Sequence, residues 1–130
     1  MKILVGYDRS KASEDALNLA LQHAQAFSAE VYIMTSLEQG AALKKEDIDK
    51  TENQLEKVKK PFKAAGVVCE VHTSVSYQSP GEDMVRFAKD KGMDQIVIGV
   101  RRRSKVGKLM TGSTAQYIIL NAPCPVLTGK

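Results

Sequence analysis

The chain has 130 residues, of which 43% are hydrophobic and 26% charged. This length predicts one domain, residues 1–130, whose core is large enough to fold without disulfides or a structural metal. Two cysteines, Cys69 and Cys124, are too few for a disulfide framework. No apolar run approaches a membrane span, and Met1–Gly6 is too short for a signal peptide, so we expect a cytoplasmic protein.

The net charge of +4 is distributed unevenly. Residues 95–130 contain six Lys or Arg and no acidic residue, whereas the rest of the chain carries 13 basic and 15 acidic residues. This asymmetry indicates an anionic ligand near the C-terminal quarter. Aromatic residues make up only 5% of the chain and none is interleaved with the arginines, which disfavours a base-stacking surface for nucleic acid.

Short apolar strands alternate with helices along the whole chain. The predicted strands are Lys2–Tyr7, Glu30–Ser36, Val67–Thr73, Asp94–Ile98 and Val126–Thr128. The predicted helices run from Ser10 to about Phe27, from Lys44 to about Ala65, from Ser79 to about Asp90, and from Ser113 or Thr114 to Asn121. This alternation predicts an α/β fold with a parallel sheet between two layers of helices.

Local signals set several of the predicted boundaries. Ser79 and Glu82 flank Pro80 in the pattern of a capping box, which marks a helix start. Pro61 should end or kink the second helix, and Gly66 is well placed to terminate it. Residues 37–42 are expected to be a linker, and residues 74–78 a polar loop.

The loops after the strands should meet at one edge of the sheet. In parallel α/β sheets, ligands lie beyond the carboxyl ends of the strands, where the strand order reverses. Asp8, which follows the first strand, and the loop that begins at Gly99 are therefore predicted neighbours. The Asp8 carboxylate could accept hydrogen bonds from a ribose or hold a metal, or it could instead cap the first helix.

The stretch from Gly99 to Thr114 has the composition of a phosphate-binding loop. Its basic residues are Arg101, Arg102, Arg103, Lys105 and Lys108, and its glycines are Gly99, Gly107 and Gly112. The helix that follows would present backbone N–H groups to an anion. It is not a Walker A motif, because Leu109 follows Lys108, and the alternative is a solvated basic loop.

The sequence offers no recognisable catalytic or metal-binding group. Cys69 and His72 lie three residues apart on a predicted strand and should point to opposite faces, so a nucleophilic Cys–His pair is not expected. Two histidines and two cysteines do not form a recognisable zinc site. We therefore expect no catalytic residues.

The two ends and the basic loop resemble the universal stress protein family over essentially the whole chain. Ile3–Ser10 is similar to the first strand of the family with its Asp-x-Ser, and Asn121–Leu127 is similar to its last strand. Nucleotide-binding members carry Gly-x2-Gly-x9-Gly-Ser/Thr between these ends. Here the stretch is Gly99-x2-Arg102-x9-Gly112-Ser113, with the spacing intact and the second glycine replaced.

The resemblance implies a three-layer α/β/α, Rossmann-like fold of the adenine nucleotide alpha hydrolase type. Its five parallel strands would lie in the order 3-2-1-4-5, and its last strand would form a homodimer. ATP or AMP is the implied ligand, with Mg²⁺ accompanying ATP and at most slow hydrolysis. Adenine and ribose would lie near Tyr7, Asp8, Ser36 and Ile98, and the phosphates near Gly99, Arg102, Gly112, Ser113 and Thr114.

Arg102 leaves two functions open. Its side chain could bind a phosphate with two hydrogen bonds, which favours a stress-response protein regulated by ATP or AMP. It could instead fill the phosphate pocket, which favours a nucleotide-free protein-interaction module of the same fold. Polyanion binding by the basic quarter and a metabolic enzyme on this scaffold are weaker alternatives, since neither has a specific group to support it.

Overall fold

The computed structural model describes residues 1–100 and 112–129. The strands are β1 (Lys2–Gly6), β2 (Glu30–Glu38), β3 (Cys69–Ser76), β4 (Gln95–Gly99) and β5 (Val126–Gly129). The helices are α1 (Lys11–Phe27), α2 (Lys45–Ala64), α3 (Pro80–Lys91) and α4 (Ser113–Asn121). All strand pairs are parallel and the order is β3-β2-β1-β4-β5, which confirms the predicted α/β fold and strand order.

The central strands β1 and β4 are buried on both faces of the sheet. This is why they consist of continuous apolar runs, Ile3–Val5 and Ile96–Ile98, rather than an alternating pattern. Their side chains enter two separate apolar clusters. The first lies on the α1 and α2 side and includes Ile33, Leu55 and Phe62. The second lies on the α3 and α4 side and has Leu4, Met34, Met84, Ile98 and Ile118 among its members.

Two helices begin with the caps that their sequences predict. Ser10 Oγ accepts a hydrogen bond of 3.1 Å from the Ser13 N–H at the start of α1. Ser79 Oγ accepts one of 3.3 Å from the Glu82 N–H, and the Glu82 carboxylate accepts from the Ser79 N–H, so the predicted capping box of α3 is confirmed. Helix α4 differs, because its N-cap is Gly112 and has no side chain to offer.

Strand β2 extends beyond its predicted end, and β3 begins at Cys69 rather than at the predicted Val67 and runs on to Ser76. Leu37 and Glu38 pair with Val75 and Ser76, so part of the predicted linker and part of the predicted loop are strand. The prediction of a linker beginning at Leu37 was therefore wrong. The backbone groups of these residues are satisfied by pairing with a distant strand, and this pairing cannot be recognised from either stretch of sequence alone.

Three residues named in the helix-boundary predictions, Pro61, Gly66 and Phe27, lie at or near the ends of helices. Pro61 lies inside α2, which ends three residues later at Ala64, and Gly66 adopts the left-handed backbone of a helix terminator (φ 75°). The predicted end of α1 at Phe27 is confirmed, and the Phe27 side chain is 60% exposed there. Ser28 follows in the left-handed conformation (φ 52°).

Helix α1 approaches the end of β4 unusually closely. A Cβ atom added to Gly99 would lie 2.0 Å from the Ala12 carbonyl oxygen and 2.2 Å from its carbon. Only glycine fits this contact between backbones. The small residues of the first turn of α1 thus allow the start of the helix to sit directly over the end of β4.

No helix within residues 1–100 and 112–129 is both long and apolar enough to cross a membrane.

Candidate functional site

A cavity of about 310 Å³ opens at the carboxyl edge of the sheet, where the strand order reverses between β1 and β4. The starts of α1, α3 and α4 contribute to its wall. Eight of the predicted site residues line it: Tyr7, Asp8, Ser36, Ile98, Gly99, Gly112, Ser113 and Thr114. The ninth, Arg102, lies outside the described residues. The structure therefore brings the described candidates together, while what they bind stays a prediction.

The start of α4 presents backbone donors at this cavity. The first intrahelical hydrogen bond runs from the Gln116 N–H to the Gly112 carbonyl, at 3.1 Å. The N–H groups of the three preceding residues, Ser113 to Ala115, consequently have no acceptor within the helix. Ser113 and Thr114 are both exposed, so their hydroxyls are accessible beside these donors.

The turn before α1 holds Asp8 in the cavity wall. Its Oδ1 atom accepts a 2.9 Å hydrogen bond from the Ser10 N–H, and its own N–H donates to Ser13 Oγ at 3.3 Å. Arg9 between them has φ 68°, a left-handed conformation that residues other than glycine rarely adopt. The carboxylate thus orders the helix entry, as the capping alternative predicted, and it also lines the cavity.

Ser36 carries an unsatisfied polar atom in the cavity wall. Its Oγ is buried and has no hydrogen-bond partner among the described residues. Buried hydroxyls are nearly always hydrogen-bonded, so this one calls for a partner that the described chain does not supply. The orphaned hydroxyl, the uncapped start of α4 and the Asp8 carboxylate are features of the cavity that fit a polar ligand.

Part of the wall is apolar and comes from the second cluster. Met34, Met84 and Ile98 belong to that cluster and line the cavity. The sequence prediction missed the contribution of α3, which supplies Met84 and Pro80. The available signal was the start of this helix, since it follows β3 and must lie at the same edge of the sheet.

Tyr7 lies in the cavity wall, but its ring packs elsewhere. The ring belongs to the first cluster, on the α1 and α2 side. Its hydroxyl accepts a 3.3 Å hydrogen bond from the Gln54 side-chain amide, and its carbonyl accepts one of 2.7 Å from the Thr35 hydroxyl. The Tyr7 ring is thus held on the α1 and α2 side, although the residue also lines the cavity.

The cysteines are placed for packing. Cys69 belongs to the first cluster, whereas the His72 ring lies 5.0 Å from the Phe87 ring on the other side of the sheet, so the predicted separation of the two side chains is confirmed. Burial raises the pKa of the Cys69 thiol to about 11, which keeps it protonated at neutral pH.

In the part of the chain that the structure describes, no three His, Cys, Asp or Glu side chains cluster as metal ligands would.

Known proteins match this chain along its full length. A sequence profile described as the universal stress protein family matches residues 1–129. Universal stress protein MJ0531 of Methanocaldococcus jannaschii is 33% identical over 140 residues, which span 99% of this chain and 81% of that protein.

Two solved structures from Archaeoglobus fulgidus are also similar. One universal stress protein has a TM-score of 0.86 at 34% identity, covering 100% of this chain and 93% of the other. The second, solved in complex with dAMP, has a TM-score of 0.84 at 32% identity, with 100% and 98% covered. Together with the strand order found here, these matches show that the chain belongs to the universal stress protein family.

Proposed function

We propose that the chain is a cytoplasmic, dimeric stress-response protein that binds ATP or AMP in this cavity as a regulatory ligand. The observation that carries the proposal is the start of α4, which faces the cavity with a glycine at its N-cap. The dAMP complex of a 32% identical relative supports the choice of an adenine nucleotide.

The phosphates would bind at the start of α4. Helices α1 and α3 use the side chains of Ser10 and Ser79 to cap their own N–H groups. Helix α4 has no such side chain at Gly112, so its first-turn donors and its dipole remain available to an anion. The Ser113 and Thr114 hydroxyls would add further donors.

The adenosine moiety would occupy the rest of the cavity. The thioethers of Met34 and Met84 and the side chain of Ile98 provide an apolar wall for a base. The Asp8 carboxylate suits a ribose hydroxyl, and Mg²⁺ accompanying ATP would find its charge partner there or in the phosphates. We assign no general base near the start of α4, so we expect at most slow hydrolysis.

Replacing Ser113 with proline tests the phosphate site. Proline is well tolerated at the first helical position, and Gly112 before it already has the extended backbone (φ −63°, ψ 162°) that a residue preceding proline prefers. The substitution removes one anion-facing N–H and should weaken AMP and ATP binding about tenfold in isothermal titration, as expected for one hydrogen bond to a charged group.

Ser113→Ala is the matched control, because it removes the hydroxyl and keeps the N–H. It should lose less affinity than Ser113→Pro, and thermal unfolding should report the same stability for both.

If neither nucleotide binds the wild-type protein at millimolar concentration, the regulatory function fails and the nucleotide-free interaction module takes its place. Arg102→Gly would then restore binding if the arginine occludes the pocket.

The homodimer is proposed through the free edge of β5, which pairs only with β4 among the described strands. The Ile96 N–H donates to the Pro125 carbonyl and the Val100 N–H donates to the Gly129 carbonyl. Odd-numbered residues of β5 thus bond to β4, and the amide of Thr128 faces the open edge.

Thr128→Pro should therefore convert the dimer to a monomer without disturbing the β4 pairing, whereas Thr128→Ala should remain a dimer. Light scattering coupled to size-exclusion chromatography measures the mass of each protein. A monomeric wild-type protein at tens of micromolar, or a Thr128→Pro protein that still dimerises, would count against this interface.

A further inference from the structure

Near their N-termini, helices α3 and α4 pack directly against each other at Gly81. A Cβ atom added to Gly81 would lie 3.1 Å from Tyr117 Cδ1, 3.2 Å from Tyr117 Cβ and 3.4 Å from the Thr114 carbonyl oxygen. The two carbon distances are shorter than the roughly 3.5–4.0 Å at which non-bonded carbon atoms attract most strongly. Helix α4 can therefore approach α3 this closely only because residue 81 has no side chain.

The first turn of α3 is held firmly to the sheet. The buried Asp83 carboxylate accepts at Oδ1 a 2.7 Å hydrogen bond from the Ser76 hydroxyl, at the end of β3, and a 3.0 Å one from Arg86 Nη2. Helix α3 buries five of its 12 residues, whereas α4 has nine residues and buries only two. A disturbance at the contact between the two helices should therefore displace α4 more than α3.

We propose that Gly81 is a positioning residue for the phosphate site at the start of α4. The inference rests on the proposed nucleotide binding and adds to it a residue that does not itself line the cavity. Thr114 carries one of the first-turn N–H donors and lines the cavity, while its carbonyl oxygen lies next to Gly81. Hydrogen bonds to an anion weaken with distance and misalignment, so a small displacement of this turn should lower the phosphate affinity.

Gly81→Ala tests the assignment by adding a single carbon at the contact. Gly81 lies within α3 without a positive φ, so alanine suits its backbone, and the higher helix propensity of alanine favours a folded variant. To accommodate the carbon, the start of α4 must move by a few tenths of an ångström. Binding of AMP should weaken about fivefold in isothermal titration, whereas binding of adenosine, which lacks the phosphate, should change by less than about twofold.

The ratio of the AMP to the adenosine dissociation constant separates positioning from stability. A general loss of stability would weaken the binding of both ligands together and leave this ratio unchanged. Tyr117→Ala removes the nearest obstacle, the Cδ1 atom, while Tyr117→Phe keeps it and is the matched control. The rise in the ratio caused by Gly81→Ala should therefore be smaller in the Tyr117→Ala protein than in the Tyr117→Phe protein.

The double variant Gly81→Ala/Tyr117→Ala also serves if Gly81→Ala alone does not fold. Its remaining contacts, with the β-carbon of residue 117 and the Thr114 carbonyl, should still raise the ratio above that of Tyr117→Ala. An unchanged ratio in the folded variants, equal rises in the two Tyr117 backgrounds, or failure of both Gly81→Ala proteins to fold would overturn the inference and leave nucleotide binding intact. Failure of the wild-type protein to bind AMP would instead overturn the proposed function.

Discussion

Gly99→Ala is expected to lower the free energy of unfolding by more than about 3 kcal/mol, the upper range for overpacking. The added Cβ would lie 2.0 Å from the carbonyl oxygen of Ala12. That obstacle is backbone in the first turn of α1, so no side-chain rotation can relieve it. Urea denaturation followed by circular dichroism measures the change.

Gly112→Ala is the matched control from the same glycine motif. Nothing lies within 4 Å of a Cβ at this position among the described residues, and its φ of −63° suits any residue. Alanine is a poorer N-cap than glycine, so a loss of at most about 1 kcal/mol is expected. Equal stability losses in the two variants would show that the close contact between Gly99 and Ala12 is not important for folding.

Different losses of stability in Gly99→Ala and Gly112→Ala would show that the two glycines have different roles. Gly99 allows α1 to pack on β4 and thereby positions the turn that holds Asp8. Gly112 leaves the first turn of α4 without a side-chain cap. A stable Gly112→Ala protein can be used for nucleotide titration, whereas binding losses in Gly99→Ala would report misplacement of the whole α1 entry.

Ile118→Ala should cost about 2–5 kcal/mol of stability, the usual range for deleting a large core side chain. Helix α4 has nine residues and buries only two, Ala115 and Ile118. The Ile118 side chain is 0% exposed within the second cluster, so it is the main anchor of the helix. Loss of this anchor should also weaken AMP binding, because the start of α4 would no longer be held against the cavity.

Ile119→Ala removes the same group of atoms one position along the helix. Ile119 is 46% exposed, and its replacement should change stability by no more than about 0.5 kcal/mol. Thermal and urea unfolding of the two variants, compared at the same protein concentration, give the difference. Similar destabilisation by both would contradict the assignment of Ile118 as the buried contact.

Much of the fold was predictable because local and global signals agree. The apolar runs of β1 and β4 are explained by burial on both faces, and the Ser10 and Ser79 caps lie where the sequence places them. Helix α3 ends at Lys91, one residue beyond the predicted end at about Asp90, and Gly92 follows it in the left-handed conformation. These features depend on a few neighbouring residues, which a single sequence displays directly.

The features that were not predictable depend on contacts between distant segments. The extension of β2 to Glu38 requires β3 as a partner, and polar residues in both stretches hide it. The packing requirement at Gly99 is visible only when Ala12 is placed against it. Likewise, the resemblance to the family named Ser36 as a site residue, but no sequence pattern could show that its hydroxyl lacks a hydrogen-bond partner among the described residues.

The two methionines in the cavity wall bear on how the protein tolerates different ligands. Met34 and Met84 are unbranched and polarisable, so their rotamers would adapt to the base of the proposed nucleotide at little cost. Gly6 leaves room for this adjustment, since a Cβ there would lie 2.8 Å from the Met84 sulfur. The apolar wall is thus a plastic surface that excludes little by shape. Discrimination among ligands would therefore depend on the few polar groups of the cavity. A single substitution at one of these groups would be enough to change the ligand specificity.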